Sequence, residues 1–204
     1  FEIMAETGGE PANALAAMRR LSSTCTKICE GQALDIAFES RDDLLPDEYL
    51  EMVELKTAVL YGASAAIPAE LLGADEEVVE AMYQYGIETG QAFQIQDDVL
   101  DLTVPSEELG KQRGSDLVEG KRTIITVHAR EQGVDVDGLV GSDPTEAEMD
   151  DAVARLESAG SIEYAREAAR DLVRNGVERL EVLPESEART CLEGIAAYLV
   201  EREY

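Results

Sequence analysis

Between Pro68 and Pro105 the chain runs without a proline, and apolar residues recur there at intervals of three and four. That spacing predicts one long helix from about Asp75 to Leu102. Near its end stands Phe93-Gln94-Ile95-Gln96-Asp97-Asp98-Val99-Leu100-Asp101, which sets three carboxylates and two amides among Phe, Ile, Val and Leu. On a helix Asp97 and Asp101 are four apart and Asp98 and Asp101 three apart, so the acids share a face with Gln94 one turn earlier. Like charges at that spacing repel, and burial beside apolar neighbours adds to the cost. A Mg2+ ion removes the penalty, because it takes oxygen ligands and keeps water that a phosphate can replace. A solvated acidic patch is the alternative for the string alone.

The 204 residues carry a formal charge of -27 and can bury a sizeable core as one helical domain over 1–204. This charge repels nucleic acid and anionic membranes, which are excluded as partners. The acids are spread along the chain, as on the solvated surface of a halophilic protein. No apolar run is long enough to span a bilayer and no signal peptide is present, so a cytoplasmic protein is expected. Cys25, Cys29 and Cys191 are expected to be buried small side chains, and His128, the only imidazole, completes no zinc set.

The rest of the chain continues the helical pattern. Phe1 to Thr7 reads as the end of a helix closed by Gly8-Gly9, and Pro11 opens another that lasts to about Ser40. Within it Gln32, Asp35 and Glu39 fall on one face. Gly31 weakens the helix, which is tolerated where something must approach closely. The pair Asp42-Asp43 belongs to a turn before Pro46 rather than to a metal site. A helix from about Asp47 to Ala66 carries Lys56-Thr57 ahead of a run of small residues, with Pro68 and Gly73 as punctuation. Three amphipathic helices, roughly 146–159, 162–183 and 186–204, close the chain, with Ala165, Ala168, Ala169, Leu172 and Val173 as core. No strand pattern appears, so the fold class is all-α with long helices.

After Pro105, residues 110–123 gather Lys111, Arg113, Lys121 and Arg122 with Gly110, Gly114 and Gly120. Glycines let backbone amides approach an anion, and the cations neutralise it. The spacing is not that of a nucleotide P-loop. Only four lysines occur in the chain, and three of them stand beside these features. Acids for Mg2+, a cationic glycine-rich loop and Lys56-Thr57 suit a diphosphate held as its magnesium complex, with an apolar interior to keep water from a carbocation.

GQALDIAFE at 31–39, KT at 56–57, FQIQDDVLD at 93–101 and GKQRGSDLVEGKRT at 110–123 together resemble the trans-type isoprenyl diphosphate synthases, the farnesyl and geranylgeranyl diphosphate synthase family. The resemblance covers nearly the whole chain and implies an isoprenoid-synthase-type helical bundle, usually homodimeric. It implies a Mg2+-dependent condensation of isopentenyl diphosphate with an allylic diphosphate, giving geranylgeranyl or farnesyl diphosphate. By the motif roles, Asp97, Asp98 and Asp101 would bind Mg2+ directly or through water. Lys56 and Lys111 would contact the allylic diphosphate, with Lys121 and Asp116 supporting the closing loop. Thr57, Gln94 and the backbone at Lys56 would face the allylic cation, and Gln32 and Asp35 would line the same cavity.

One departure stands out. The family's first aspartate-rich motif and the Arg pair that follows it are absent, and Arg19-Arg20 is not that pair. The N-terminal helices are therefore expected to be missing and this chain to be inactive alone, while the family-like run to Tyr204 suggests a complete C-terminus. A structural or regulatory synthase-like subunit is the alternative, and a terpene cyclase a second, against which the 110–123 loop argues.

Overall fold

The computed structural model describes residues 1–7, 9–110 and 112–202. Among them the regular structure is helical and no strand occurs, as expected of an all-α bundle. A short α1 (Glu2–Ala5) precedes α2 (Pro11–Phe38). Next α3 (Pro46–Val53) passes through a π-helical turn (Glu54–Ala58) into α4 (Val59–Leu71). The central helix is α5 (Glu76–Thr103). Short helices α6 (Ser106–Leu109) and α7 (Ser115–Val118) carry the glycine-rich loop. Then follow α8 (Ile124–Glu131), α9 (Glu146–Ser158), α10 (Ser161–Arg179) with a 3-10 turn (Leu180–Val182), and α11 (Glu187–Glu201). No described helix is long and apolar enough to cross a membrane.

Every residue of α5 from Tyr85 to Ala92 is buried, which a helix achieves only when neighbours surround it. Glu76 and Glu77 occupy its first turn, where the exposed N–H groups favour negative charge. At the other end Val104 is extended, with φ -92° and ψ 133°, the conformation that the following Pro105 requires. The main core gathers Ile95, Val99 and Leu102 of α5 with Val53, Ile124, Ile125, Leu156, Ile162, Ala165 and Ala169. Ala168, Leu172 and Val173 pack against it, as their spacing predicts.

Helices α4 and α5 touch backbone to backbone. A Cβ on Gly86 would lie 2.5 Å from the Gly62 Cα, and one on Gly90 2.8 Å from the Ala58 Cα. The small residues after Thr57 thus allow the close packing that the sequence suggests. A second close approach had no such signal at its other partner: a Cβ on Gly31 would meet the Lys56 nitrogen at 2.3 Å. It is the backbone of the π turn that comes this near to α2.

Three expectations are corrected. The helix expected over Asp47 to Ala66 is unbroken, but Lys56-Thr57 sits on a π-helical turn within it rather than on regular α-helix. Pro68 does not punctuate: α4 runs on to Leu71, because in the last turn the ring removes one helical bond, to the Ser64 carbonyl. Gly73, at φ +70°, is where the chain turns. All three cysteines are exposed, so they are not core. Asp42 and Asp43 behave as turn residues, paired with Arg122 and Arg41 respectively. His128 stacks on Tyr164, with ring centroids 4.2 Å apart, and hydrogen-bonds Ser161 at 3.0 Å, joining α8 to α10.

Candidate active site

Beside the π turn lies a narrow cavity of about 70 Å³, lined by Asp35, Tyr49, Lys56, Thr57, Gln94, Asp98, Asp116 and Lys121 among others. Helices α2, α3, α5 and α7, the π turn and the loop before α8 meet there, because Gly31 lets α2 approach the π turn and the glycine contacts hold the π turn and α4 against α5. Gln94 and Thr57 face each other: the Thr57 hydroxyl donates to Gln94 Oε1 at 3.1 Å. Gln94 Nε2 in turn donates to Asp98 Oδ1 at 3.0 Å, one helical turn on. Tyr49 Oη donates to the other Asp98 oxygen at 2.5 Å.

Both lysines of the cavity meet a carboxylate. Lys56 Nζ is 2.6 Å from Asp35 Oδ2, and Lys121 Nζ is 2.6 Å from Asp116 Oδ1 and 3.0 Å from Glu119 Oε2. The bond to Asp116 raises the Lys121 ammonium above its usual range. An incoming anion would compete with these carboxylates for both cations. Gln32, exposed on α2, reaches Asp35 at 3.4 Å. Lys111 lies outside the described residues.

The three aspartates of α5 diverge in their surroundings. Asp98 is 4% exposed and has a donor on each oxygen; burial pushes its carboxyl up to about 7, against the pull of the Tyr49 and Gln94 hydrogen bonds. Asp101 is buried and fastens the loop, accepting from the Ser115 hydroxyl at 2.8 Å and the Asp116 amide at 3.1 Å. Its carbonyl accepts from Gly114 N at 2.6 Å, a contact reached with Gly114 at φ +70°, where only glycine is unstrained. Asp97 keeps a side chain 42% exposed, and Arg202 of the C-terminal segment pairs with it. Among the described residues no three acids, histidines or cysteines gather as a metal site. The expected three-acid set is thus not brought to one point. What does fit a Mg2+ ion is the solvent-accessible Asp97 carboxylate, since Mg2+ commonly takes one or two carboxylates and completes its shell with water and substrate phosphate.

The loop cations also divide. Arg113 turns away from the cavity, donating to the Leu102 carbonyl at 2.6 Å and to Asp150 at 2.7 Å. Arg122 lines the cavity, yet it donates to the Arg41 carbonyl at 3.1 Å and pairs with Asp42 and Asp137. They staple the loop to the bundle more than they cradle an anion. Tyr49 and Arg202 are the residues that sequence reasoning missed. Tyr49 precedes Lys56 by two helical turns, a usable signal; nothing in the sequence marks Arg202.

A separate apolar groove of about 530 Å³ lies along α4 and α5, lined by Leu60, Tyr61, Ala65, Tyr85, Leu192 and Ile195 with their neighbours. Tyr61 packs on Phe93 with ring centroids 5.5 Å apart, one turn from Thr57 and from Asp97. The same two helices thus carry polar residues of the cavity and, a turn away, apolar residues of the groove.

Long helices around an acid–lysine cavity, with an apolar groove along two of them, match an isoprenoid-synthase-type bundle. The structure of the geranylgeranyl pyrophosphate synthetase of Geoglobus acetivorans superposes with a TM-score of 0.90 at 41% identity, over 98% of this chain and 63% of that one. The polyprenyl synthetase family model matches residues 1–156, and the chain belongs to that family. It is 64% identical over its whole length to the geranylfarnesyl diphosphate synthase of Natronomonas pharaonis, covering 60% of that protein. To the geranylgeranyl diphosphate synthase of Methanosarcina mazei it is 48% identical, covering 63%. The chain therefore spans somewhat over half the length of these relatives.

Proposed function

We propose that this chain is part of a Mg2+-dependent trans-prenyl diphosphate synthase that condenses isopentenyl diphosphate with an allylic diphosphate. The observation that carries the reading is that Lys56, Thr57 and Gln94 line one cavity while Tyr61, one turn from Thr57, lines the apolar groove along α4 and α5. That order suits an allylic diphosphate, with its charged end at the lysines and its hydrocarbon tail in the trough. The relatives' names favour a geranylgeranyl or geranylfarnesyl product over a farnesyl one.

Lys56 and Lys121, released from Asp35 and Asp116, neutralise the diphosphate, and Lys111 joins them. Asp97 supplies the carboxylate for Mg2+, which when bound stabilises negative charge on the leaving diphosphate. Asp98 and Asp101 act from behind, by holding Gln94 and the 114–116 backbone. Thr57 and Gln94 face the allylic carbon as its bond to oxygen breaks. The groove keeps water away while the double bond of isopentenyl diphosphate attacks and a proton leaves. The charge of -27 supports a salt-rich cytoplasm. An outer face of α2 with Leu15 half exposed and Ile36 60% exposed supports a homodimer.

A second reading, a non-catalytic subunit, draws on the carboxylate partners that both lysines already hold. One assay separates the two: incorporation of labelled isopentenyl diphosphate at molar KCl, with and without Mg2+. Magnesium-dependent product that is lost in Asp97→Ala supports the synthase. If product is absent, and stays absent when the chain is extended to its relatives' full length, the synthase reading falls.

A further inference from the structure

Of the four lysines, Lys27 alone belongs neither to the catalytic cavity nor to the 110–123 loop. It lines a second cleft, of about 450 Å³, together with Arg19, Arg20, Ser23, Glu70 and Tyr83. The two cavities share no lining residue. Arg19, Arg20, Ser23 and Lys27 fall at three- and four-residue intervals on α2. One face of that helix therefore turns three cations and a hydroxyl toward the cleft.

These cations are only partly engaged. Arg20 directs both Nε and an Nη at a single oxygen of Glu70, at 2.8 and 2.7 Å. That pair neutralises the one carboxylate lining the cleft. Lys27 Nζ stands 3.4 Å from the Tyr83 hydroxyl, a neutral partner at the edge of hydrogen-bond range that occupies one of three ammonium protons. Arg19 is exposed, and among the described residues neither it nor Lys27 meets a carboxylate. The Arg20 guanidinium lies 4.9 Å and the Lys27 ammonium 5.8 Å from the Tyr83 ring centroid, so cations two helical turns apart converge on one ring. Cations gathered this way repel one another, in a chain whose net charge is -27. Fastening α2 to α4 needs only the Arg20–Glu70 pair. Arg19 and Lys27 bring two further charges to the cleft, and an anion is what would offset them.

We propose that this cleft is a second anion site, which takes the diphosphate group of a small molecule through Arg19, Lys27 and Ser23. Arg19 and Lys27 leave α2 eight residues apart, about 12 Å along the axis. Oxygens spread over two linked phosphoryl groups span that stretch better than a lone carboxylate or phosphate does. The guanidinium fork and the ammonium are the donors such oxygens select. Nucleoside and prenyl diphosphates both carry the group, and the experiment separates them. The proposal goes beyond the prenyl reaction and does not rest on it.

Binding is measured by calorimetry in EDTA at constant ionic strength, with circular dichroism to show that each variant is folded. All proteins carry Lys56→Met and Lys121→Met, which strip the catalytic cavity of its lysines. In this background inorganic diphosphate should still bind, one per chain and saturably below about 10 mM. Adding Arg19→Gln or Lys27→Met should weaken it about tenfold each, whereas Lys27→Arg, which keeps the charge, should stay within about threefold. ADP and geranyl diphosphate are then compared with inorganic diphosphate. The tighter of the two names the source of the group, and equal binding shows that the group alone is read. Absence of saturable binding by the folded background protein overturns the proposal. So does binding that Arg19→Gln and Lys27→Met leave unchanged, or a loss in Lys27→Arg as large as in Lys27→Met. Binding at the cleft by a chain that gives no prenyl product when extended would leave this proposal standing and remove the proposed reaction.

Discussion

The Arg202 guanidinium pairs with the Asp97 carboxylate and lies 4.2 Å over the Phe93 ring. The most open of the three aspartates of α5 is thus held by a cation from the C-terminal segment, with the ring beneath it as a platform. Removing the guanidinium in Arg202→Ala should free Asp97. A partly exposed pair of this kind is worth up to about 1 kcal/mol, so Mn2+, as a paramagnetic stand-in for Mg2+, should bind roughly threefold more tightly. Titration by electron paramagnetic resonance reads this directly. Unchanged or weaker binding would show that Arg202 does not compete with the metal.

Gly31 admits no side chain. In Gly31→Ala the new methyl would stand 2.3 Å from the Lys56 nitrogen and 2.6 Å from its Cα, and backbone cannot rotate aside as a long side chain does. The variant should lose about 3 kcal/mol of stability, read from urea denaturation with an unchanged slope. A loss below 0.5 kcal/mol, at the level of ordinary surface changes, would mean that α2 does not press on the π turn.

Asp98 ties stability to pH. Its carboxyl sits near 7 in the fold against 3.8 in the unfolded chain, chiefly through burial. Between those values the native state holds a proton that the unfolded state has lost, so stability falls as pH rises through the window. The fall is of the order of 3 kcal/mol, on top of the general repulsion among acids. Asp98→Asn removes this component. Melts in EDTA between pH 4 and pH 7.5 should show a shallower decline for the variant, and parallel curves would contradict the assignment.

The groove wall offers a test of product length. Ala65 lines its far part, and Ala65→Phe would fill the space a growing tail needs. Product chromatography of the extended, active enzyme should show a shift to shorter prenyl chains with initial rates within about threefold of the parent. An unchanged product distribution would place the tail elsewhere.

The long helices were legible because their signals are local: a proline-free apolar period up to Leu102, Pro105 as a stop, and Pro11 as an opening. Lys56, Thr57, Gln94 and Asp98 could be picked out for the same reason, since residue type and spacing carry them. The π turn was not legible, because its partner is Gly31, more than twenty residues upstream, and no period in residues 54–58 reveals it. Nor was the separation of Asp97, Asp98 and Asp101. Helical spacing says only that they share a face, whereas Arg202, Tyr49 and Ser115, from three other parts of the chain, decide what each carboxylate meets. The cysteines were misjudged as buried because residue type alone ignores which side of α2 or α11 they occupy.

The contacts of Gly62, Gly86 and Gly90 leave α4 and α5 no freedom to slide. A shift of one residue would drive a side chain into the opposing backbone, so the two helices are locked in register like the jaws of a gauge. From Thr57 to Ala65 that gauge measures about 12 Å of helix. In the proposed reaction, a site built this way relates the reacting end of the substrate to the depth beyond it by a length that no side-chain rotation alters. Substitutions along the groove can shorten the usable interval, but the zero of the scale stays at Thr57.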